Sequence, residues 1–167
     1  MDDSLNICLA CGSCCDGTLI GFVELDPEEM PAIKKIMAIE EEKGNGFFLQ
    51  PCKKYCDGCT VYSQRPKHCA KFECGLLKSV EKKEVEFDAA VEIVKVVRQK
   101  RKNIEVKLAE QNYTLQSDSF YFKMVELEKQ LQNKKVDLSI TNIQQELLLD
   151  LQQIENILAK NFGLTLF

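Results

Sequence analysis

Residues 7–17 read ICLACGSCCDG, and this short stretch holds four of the nine cysteines in a chain of 167 residues. Cys8, Cys11 and Cys14 have the spacing C-x-x-C-x-x-C, and Cys15 follows directly. Two cysteines separated by two residues can direct both sulfurs at one metal ion, which in the case of zinc they bind at about 2.3 Å. Gly12 allows a tight turn between them. The stretch therefore predicts part of a metal site whose other ligands lie elsewhere.

A second group of cysteines supplies candidates for those other ligands. It lies between residues 52 and 74, contains a further C-x-x-C pair, and consists of Cys52, Cys56, Cys59, Cys69 and Cys74. Four and five cysteines can complete two four-thiolate sites, or one iron–sulfur cluster and one zinc site, with one thiol left over. We therefore treat all nine as candidate metal ligands and expect one or two centres.

The spacing alone leaves the metal and the exact ligand set open. A C-x-x-C-x-x-C run is typical of a 4Fe-4S cluster that takes its fourth ligand from elsewhere, and the same spacing serves zinc. Neighbouring Cys14 and Cys15 point in different directions, so one of them faces a second centre or a remote partner. Cys56 is either the spare thiol or a replacement for Cys52. His68, the only histidine, would give a Cys3His site if it were a ligand.

Composition favours a cytosolic metal-binding protein. The first residues, MDDSLN, are acidic where a signal peptide would be basic. No stretch approaches the roughly 20 apolar residues of a membrane helix, so we expect no membrane association. Cytosolic thiols stay reduced, and clustered cysteines there more often hold metal than form disulfides.

Charge gives no support for a nucleic-acid partner. The formal net charge is −4. The basic run RQKRK at residues 98–102 lies in a predicted helix with glutamates nearby and no interleaved aromatic residues, which indicates a solvated helix face. We therefore expect no nucleic-acid binding.

The part of the chain between the first cysteines and residue 75 predicts a strand, a helix and a long loop segment. Residues 17–25, GTLIGFVEL, favour a strand. Residues 26–44 predict a helix that begins at Asp26-Pro27, carries an apolar stripe and ends at Gly44 or Gly46. Residues 47–75 combine turn signals with little periodicity and predict loops wrapped around a bound group.

The remainder predicts a helical bundle. Apolar residues recur every three or four positions after Asp88, and a second helical segment is expected from about Asp118 to Gln132. A third begins at a capping box formed by Thr141 and Gln144 and ends near Gly163. The expected apolar positions of these three helices are Val91, Val94, Val97, Ile104, Leu108, Phe122, Val125, Leu131, Ile143, Leu147, Leu151, Ile154 and Leu158. We predict a mainly α protein with a loop-rich, metal-organised cysteine module at residues 1–78, packed with a small C-terminal helical bundle at residues 79–167.

Two segments together resemble a known family. CLACGSCC at residues 8–15, followed by CTVYSQRPKHCAKFEC at residues 59–74, is similar to the CxxCxxCC, or YkgJ-type, cysteine-cluster family of zinc- or iron-chelating domains, which flagellin lysine N-methylases share. The resemblance covers roughly residues 8–76, includes the Arg65-Pro66 pair, and implies chelation of zinc or iron. Cys56 has no counterpart in the family pattern, and Ala70 stands where members often carry an arginine.

These observations predict a metal-binding protein in which the two cysteine groups chelate zinc or an iron–sulfur cluster. One alternative is an iron–sulfur-dependent enzyme or enzyme subunit in protein modification. Another is an adaptor folded by metal, which binds a protein partner through its C-terminal helices as a monomer or homodimer. The sequence has no glycine-rich cosubstrate loop, nucleophile elbow or H-E-x-x-H motif, so we assign no reaction and no catalytic residue, and do not transfer the methylase activity.

Overall fold

The computed structural model describes residues 3–111, 113–136 and 141–166. It confirms the predicted mainly α fold and adds a small antiparallel sheet. The described α-helices are α1 (Asp3–Cys11), α2 (Met30–Ile33), α3 (Lys67–Lys71), α4 (Gly75–Glu81), α5 (Phe87–Glu110), α6 (Phe120–Val136) and α7 (Asn142–Ile157). A 3-10 turn spans Tyr62–Gln64, and a π-helical turn, Leu158–Phe162, continues α7. None of the described helices is both long and apolar enough to cross a membrane.

The part of the sequence between the two cysteine segments forms a three-stranded sheet with the strand order β1-β3-β2. Its strands are β1 (Phe22–Leu25), β2 (Glu40–Glu42) and β3 (Asn45–Leu49), all paired antiparallel. The strand expected within residues 17–25 is confirmed as β1. The loop expected from residue 47 onward is wrong at its start, because Phe47, Phe48 and Leu49 belong to β3.

The helix expected over residues 26–44 is also largely wrong. Only Met30–Ile33 is assigned as helix, with Glu29 rather than Asp26 at its N-cap, and the chain then reverses into the β2–β3 hairpin. The apolar periodicity was nevertheless informative, since Ile33 and Met37 are buried against the inner face of the sheet. Short helical turns and a long helix bury the same apolar stripe, which is why periodicity did not distinguish them.

The first two cysteines lie on a helix. Cys8 and Cys11 stand one turn apart near the end of α1, so their side chains share one face. We expected a tight turn here, and the structure has that turn only after Cys11, where Gly12 adopts a φ of 58°. Cys14 and Cys15 follow in the turns beyond it.

Helices α5, α6 and α7 form the bundle that the apolar periodicity predicted. Most of the expected core positions are buried, and the main hydrophobic core also contains Phe120, Met124 and Leu127 of α6. Of the three α6 residues expected in the core, only Leu131 is buried. Ile143, in the first turn of α7, is 41% exposed.

The same hydrophobic core extends into the cysteine-rich part. Ile7, Cys11 and Leu19 are buried in it together with residues of α4 and of the bundle. Gly75, at the start of α4, approaches the backbone of Phe162 and Gly163 so closely that an added Cβ would lie 2.9 Å from the Phe162 carbonyl carbon. The first cysteine segment is thus packed directly on the helical part. The division at residue 78 into two domains stays a prediction.

Candidate metal centre

Eight of the nine cysteines line one cavity of about 640 Å³ between α1, α3, α4 and the sheet. They are Cys8, Cys11, Cys14, Cys15, Cys52, Cys59, Cys69 and Cys74. All nine are free thiols. The fold therefore brings both cysteine segments to a common interior site.

One set of four thiols, here called the first cysteine group, consists of Cys8, Cys11, Cys14 and Cys74. Burial, and then the thiols of Cys74 and Cys11, raise the pKa of Cys8 to about 11. Burial and then Cys11, Cys74, Cys15 and Cys8 raise the pKa of Cys14 well above its ordinary value. Burial also raises the pKa of Cys11, which its hydrogen bond to Ser13 opposes, and Cys74 adds to the rise. Cys74 therefore raises the pKa of all three of these N-terminal thiols.

The other set, here called the second cysteine group, consists of Cys15, Cys52, Cys59 and Cys69. Burial, and then the thiols of Cys52, Cys59 and Cys69, raise the pKa of Cys15 to about 12. Burial followed by Cys52 and Cys59 raises the pKa of Cys69 to about 12. Cys15 is therefore the one member that comes from the N-terminal segment.

The two groups meet at the peptide bond between Cys14 and Cys15. The Cys52 N–H donates a 2.7 Å hydrogen bond to the Cys15 carbonyl, which ties the second segment to this point. In the first cysteine group, the Leu77 N–H donates to Cys74 Sγ at 3.5 Å, which places that sulfur at the N-cap of α4.

A family model matches the part of the chain that contains all nine cysteines. The CxxCxxCC model, whose description reads "Putative zinc- or iron-chelating domain", matches residues 7–100, more than half of the chain. The chain belongs to the CxxCxxCC family. The resemblance drawn from the cysteine spacing is thereby confirmed, and the match extends beyond residue 76 into α5. No curated protein and no solved structure matches the chain.

Cys56 stands apart from the other cysteines of this CxxCxxCC chain. Its side chain is exposed, and it is absent from the cavity lining that its neighbour Cys59 shares. It lies in a tight turn closed by a hydrogen bond from its own N–H to the Gly58 carbonyl. The assignment of all nine cysteines as ligands stays a prediction, and Cys56 is the member with the least structural support.

Two residues singled out beside the cysteines have identifiable contacts. His68 Nε2 lies 3.3 Å from Asp26 Oδ1, and the imidazole is 43% exposed. Arg65 stacks on the Tyr62 ring at 3.9 Å from its centroid. It also lowers the pKa values of Cys8 and Cys69 against the larger effect of burial, so its charge acts on both cysteine groups.

The sequence did not indicate a role for Tyr55, yet its ring packs against the turn at Gly12. Its ring lies so close to Gly12 that any Cβ at that position would overlap it. Gly12 therefore meets two requirements, the left-handed backbone and the space for the ring. The sequence signals only the first, because the Tyr55 contact depends on the fold.

Cysteine thiols are suitable ligands for zinc and for iron. In this structure, however, their side chains are not yet arranged around a single metal position. Within the described residues, no three Cys, His, Asp or Glu side chains are arranged so that they could hold a metal ion. Each sulfur must approach the metal to about 2.3 Å, so binding requires side-chain movement within both groups. The buried Gln50 side chain also lines the cavity, and its Oε1 has no hydrogen-bond partner, which leaves an acceptor available to a bound group.

Proposed function

We propose that this protein chelates zinc or iron through two four-cysteine centres. The first cysteine group would hold one centre and the second cysteine group the other, with Cys56 left free. The observation that carries the proposal is that eight cysteines, drawn from both segments, line one cavity. The effects of these thiols on one another's pKa values support their assignment to the first and second cysteine groups. Four thiolates are a complete ligand set for zinc and for an iron–sulfur cluster.

Neighbouring positive charge supports metal–thiolate binding at this site. Four thiolates around one divalent ion carry a net negative charge, which a nearby cation stabilises. Arg65 acts on both groups, and the segment of residues 52–78 has six basic and two acidic side chains. A zinc ion would serve a structural or chelating role, whereas an iron–sulfur cluster would supply electron transfer.

The first experiment is anaerobic purification followed by a visible spectrum and analysis of metal and inorganic sulfide. Two zinc ions per chain, or iron matched by sulfide, is the expected result. A protein that holds no zinc or iron after reconstitution with either metal would contradict the proposal. The same analysis chooses between zinc and iron.

Matched serine variants test the division into two groups. Cys74→Ser removes a ligand of the first group and Cys69→Ser one of the second, so each is expected to lose one of two zinc ions or one of two clusters. Cys56→Ser is the control and should keep both. Loss of all metal in both ligand variants would indicate one shared centre instead.

An iron–sulfur-dependent enzyme is the second candidate. The observation in its favour is the cavity itself, because about 640 Å³ lies within the range of small-molecule sites and extends beyond the thiols to Phe48, Tyr62 and Phe72. This candidate would be supported if the visible absorption of the metal centre changed on addition of a reductant and changed again on addition of a cosubstrate. Cytosolic location and a protein partner for the C-terminal helices, in a monomer or homodimer, are further proposals.

A further inference from the structure

Two arginines of α5 reach back to the first cysteine segment. Arg98 donates from Nη2 to the carbonyl oxygens of Ala10 at 2.8 Å and Cys11 at 2.9 Å. These are carbonyls of the last turn of α1, which lack partners within their own helix. Arg98 therefore satisfies the end of the helix that carries Cys8 and Cys11.

Arg101, one turn further along α5, contacts the segment just after Cys15. Its Nη1 donates to Thr18 Oγ1 at 2.8 Å and to the Asp16 carbonyl at 3.2 Å, and lies 3.0 Å from Asp16 Oδ1. Its Nε donates to Glu105 Oε1 at 2.9 Å, and the guanidinium lies 5.1 Å from the centroid of the buried Phe120 ring. The side chain is thus fixed on several sides and only 22% exposed.

The lysines of the same basic run point elsewhere. Lys100 donates to Gln153 Oε1 on α7 at 2.6 Å, and Lys102 is exposed. Within the run RQKRK, the two arginines therefore contact the first cysteine segment, whereas the two lysines do not take part in these contacts. The expectation of a solvated helix face does not describe Arg101.

We propose that Arg98 and Arg101 are positioning residues that hold residues 10–18 in the shape needed for metal binding. This inference rests on the proposed function. The segment between the two contacts contains Cys11, Cys14 and Cys15, which belong to both cysteine groups. Anchoring it before and after these residues restricts the directions in which their sulfurs can move. A guanidinium suits this task, because its planar fork can donate to two acceptors at once, which an ammonium on a flexible stem does poorly.

The test compares metal affinity with fold stability. Arg98→Lys, Arg101→Lys and Arg101→Met are expected to weaken binding of Zn²⁺ or Fe²⁺, whichever the wild-type protein retains, by about 10- to 100-fold, the usual effect of removing an outer contact that orients metal ligands. Affinity is measured by competition with a chromophoric chelator. Lys102→Met, an exposed position on the same helix, is the control and should bind as the wild type does.

Thermal unfolding of the metal-free variants separates positioning from a merely structural role. A positioning residue lowers metal affinity more than it lowers metal-free stability. Equal affinity in variant and wild type, with a lower melting temperature in both metal-free and metal-bound forms, would overturn the inference. Arg98→Lys keeps the charge at an exposed site and should fold even if Arg101→Met does not. Its Co²⁺-loaded visible spectrum should differ from that of the wild type, and an unchanged spectrum with unchanged affinity would also overturn the inference.

Failure of the proposed function would look different. If the wild-type protein bound neither metal, the chelation proposal itself would fall. If the wild type bound metal and the arginine variants bound it equally well, only the positioning role would fall.

Discussion

The Cys52 N–H donates a 2.7 Å hydrogen bond to the carbonyl oxygen of Cys15, which joins two segments far apart in the sequence at the point where the two cysteine groups meet. Because this bond is formed by the backbone, it does not require a metal ion. The two segments are thus aligned by the fold, and the sulfurs need only local movement to close on a metal.

Cys56 and Cys59 form the clearest matched pair for mutation. Cys59→Ser removes a thiol that lines the cavity and should reduce the bound metal by one centre, whereas Cys56→Ser changes an exposed thiol outside it. Metal analysis of the two purified variants checks this expectation. Equal metal loss in both would mean that Cys56 is a ligand and that the grouping is wrong.

Gly12→Ala should destabilise the protein more than Gly44→Ala. Both glycines have positive φ, 58° for Gly12 and 87° for Gly44, so both substitutions incur the left-handed backbone cost of about 1 kcal/mol. A Cβ at Gly44 meets nothing within 4 Å, whereas one at Gly12 overlaps the Tyr55 ring. Urea unfolding of the two variants measures the difference. Equal free energies of unfolding would show that Tyr55 moves aside without cost.

The metal-free protein should lose stability at alkaline pH. Burial and neighbouring thiols raise the pKa of Cys15 and of Cys69 from 9.0 to about 12 in the folded state. The folded protein therefore keeps these protons after the unfolded chain has released its own. The resulting contribution is complete below about pH 8 and is lost as the pH rises towards 12, by about 1.4 kcal/mol per thiol at pH 10.

Urea unfolding of the metal-free protein at several pH values checks this dependence. Cys15→Ser should show a weaker loss between pH 8 and pH 10 than the wild type, because one raised pKa is removed. Stability that stayed level over this range in the wild type would contradict the expectation.

The capping box of α7 offers a test remote from the cysteines. Thr141 Oγ1 accepts a hydrogen bond from the Gln144 N–H at 3.3 Å, and the Gln144 side chain accepts one from the Thr141 N–H at 3.0 Å. Thr141→Ala should lower the free energy of unfolding by about 1 kcal/mol and leave metal binding unchanged. Thr141→Ser keeps the hydroxyl and is the control. If alanine and serine behaved alike, the cap would contribute nothing to stability.

How well the sequence predicted the fold depended on whether the decisive interactions were local. The start of α7 was correct to the residue because the capping box is formed by side chains three positions apart, and Gly163 ends the helical segment with a φ of 66° as expected. The β2–β3 hairpin was missed, because three consecutive glutamates have low strand preference and their pairing depends on β3 and on the packing of Phe48.

The candidate site shows the same limit. The spacing singled out the cysteines as candidate ligands, but which of them lie together depends on how the fold brings distant segments into contact. The sequence raised the question of whether Cys14 and Cys15 face different partners, and it could not assign Cys74 to one and Cys69 to the other. The roles of Arg98 and Arg101 were missed for a related reason. Their spacing places them on one face of α5, yet the surface that this face meets is far away in the sequence.

The Cys52–Cys15 hydrogen bond has a consequence for the order of metal loading. An ion bound by the first group would close a ring of chain from Cys14 to Cys74, and an ion bound by the second would close another from Cys15 to Cys52. The smaller ring lies within the larger, but the metal-free fold already holds both segments together at the Cys52–Cys15 hydrogen bond. Neither ion therefore has to close a free loop, and the entropy lost on binding the second ion is little changed by the first. We expect the two ions to load independently, with half-loaded protein present in a metal titration followed by native mass spectrometry.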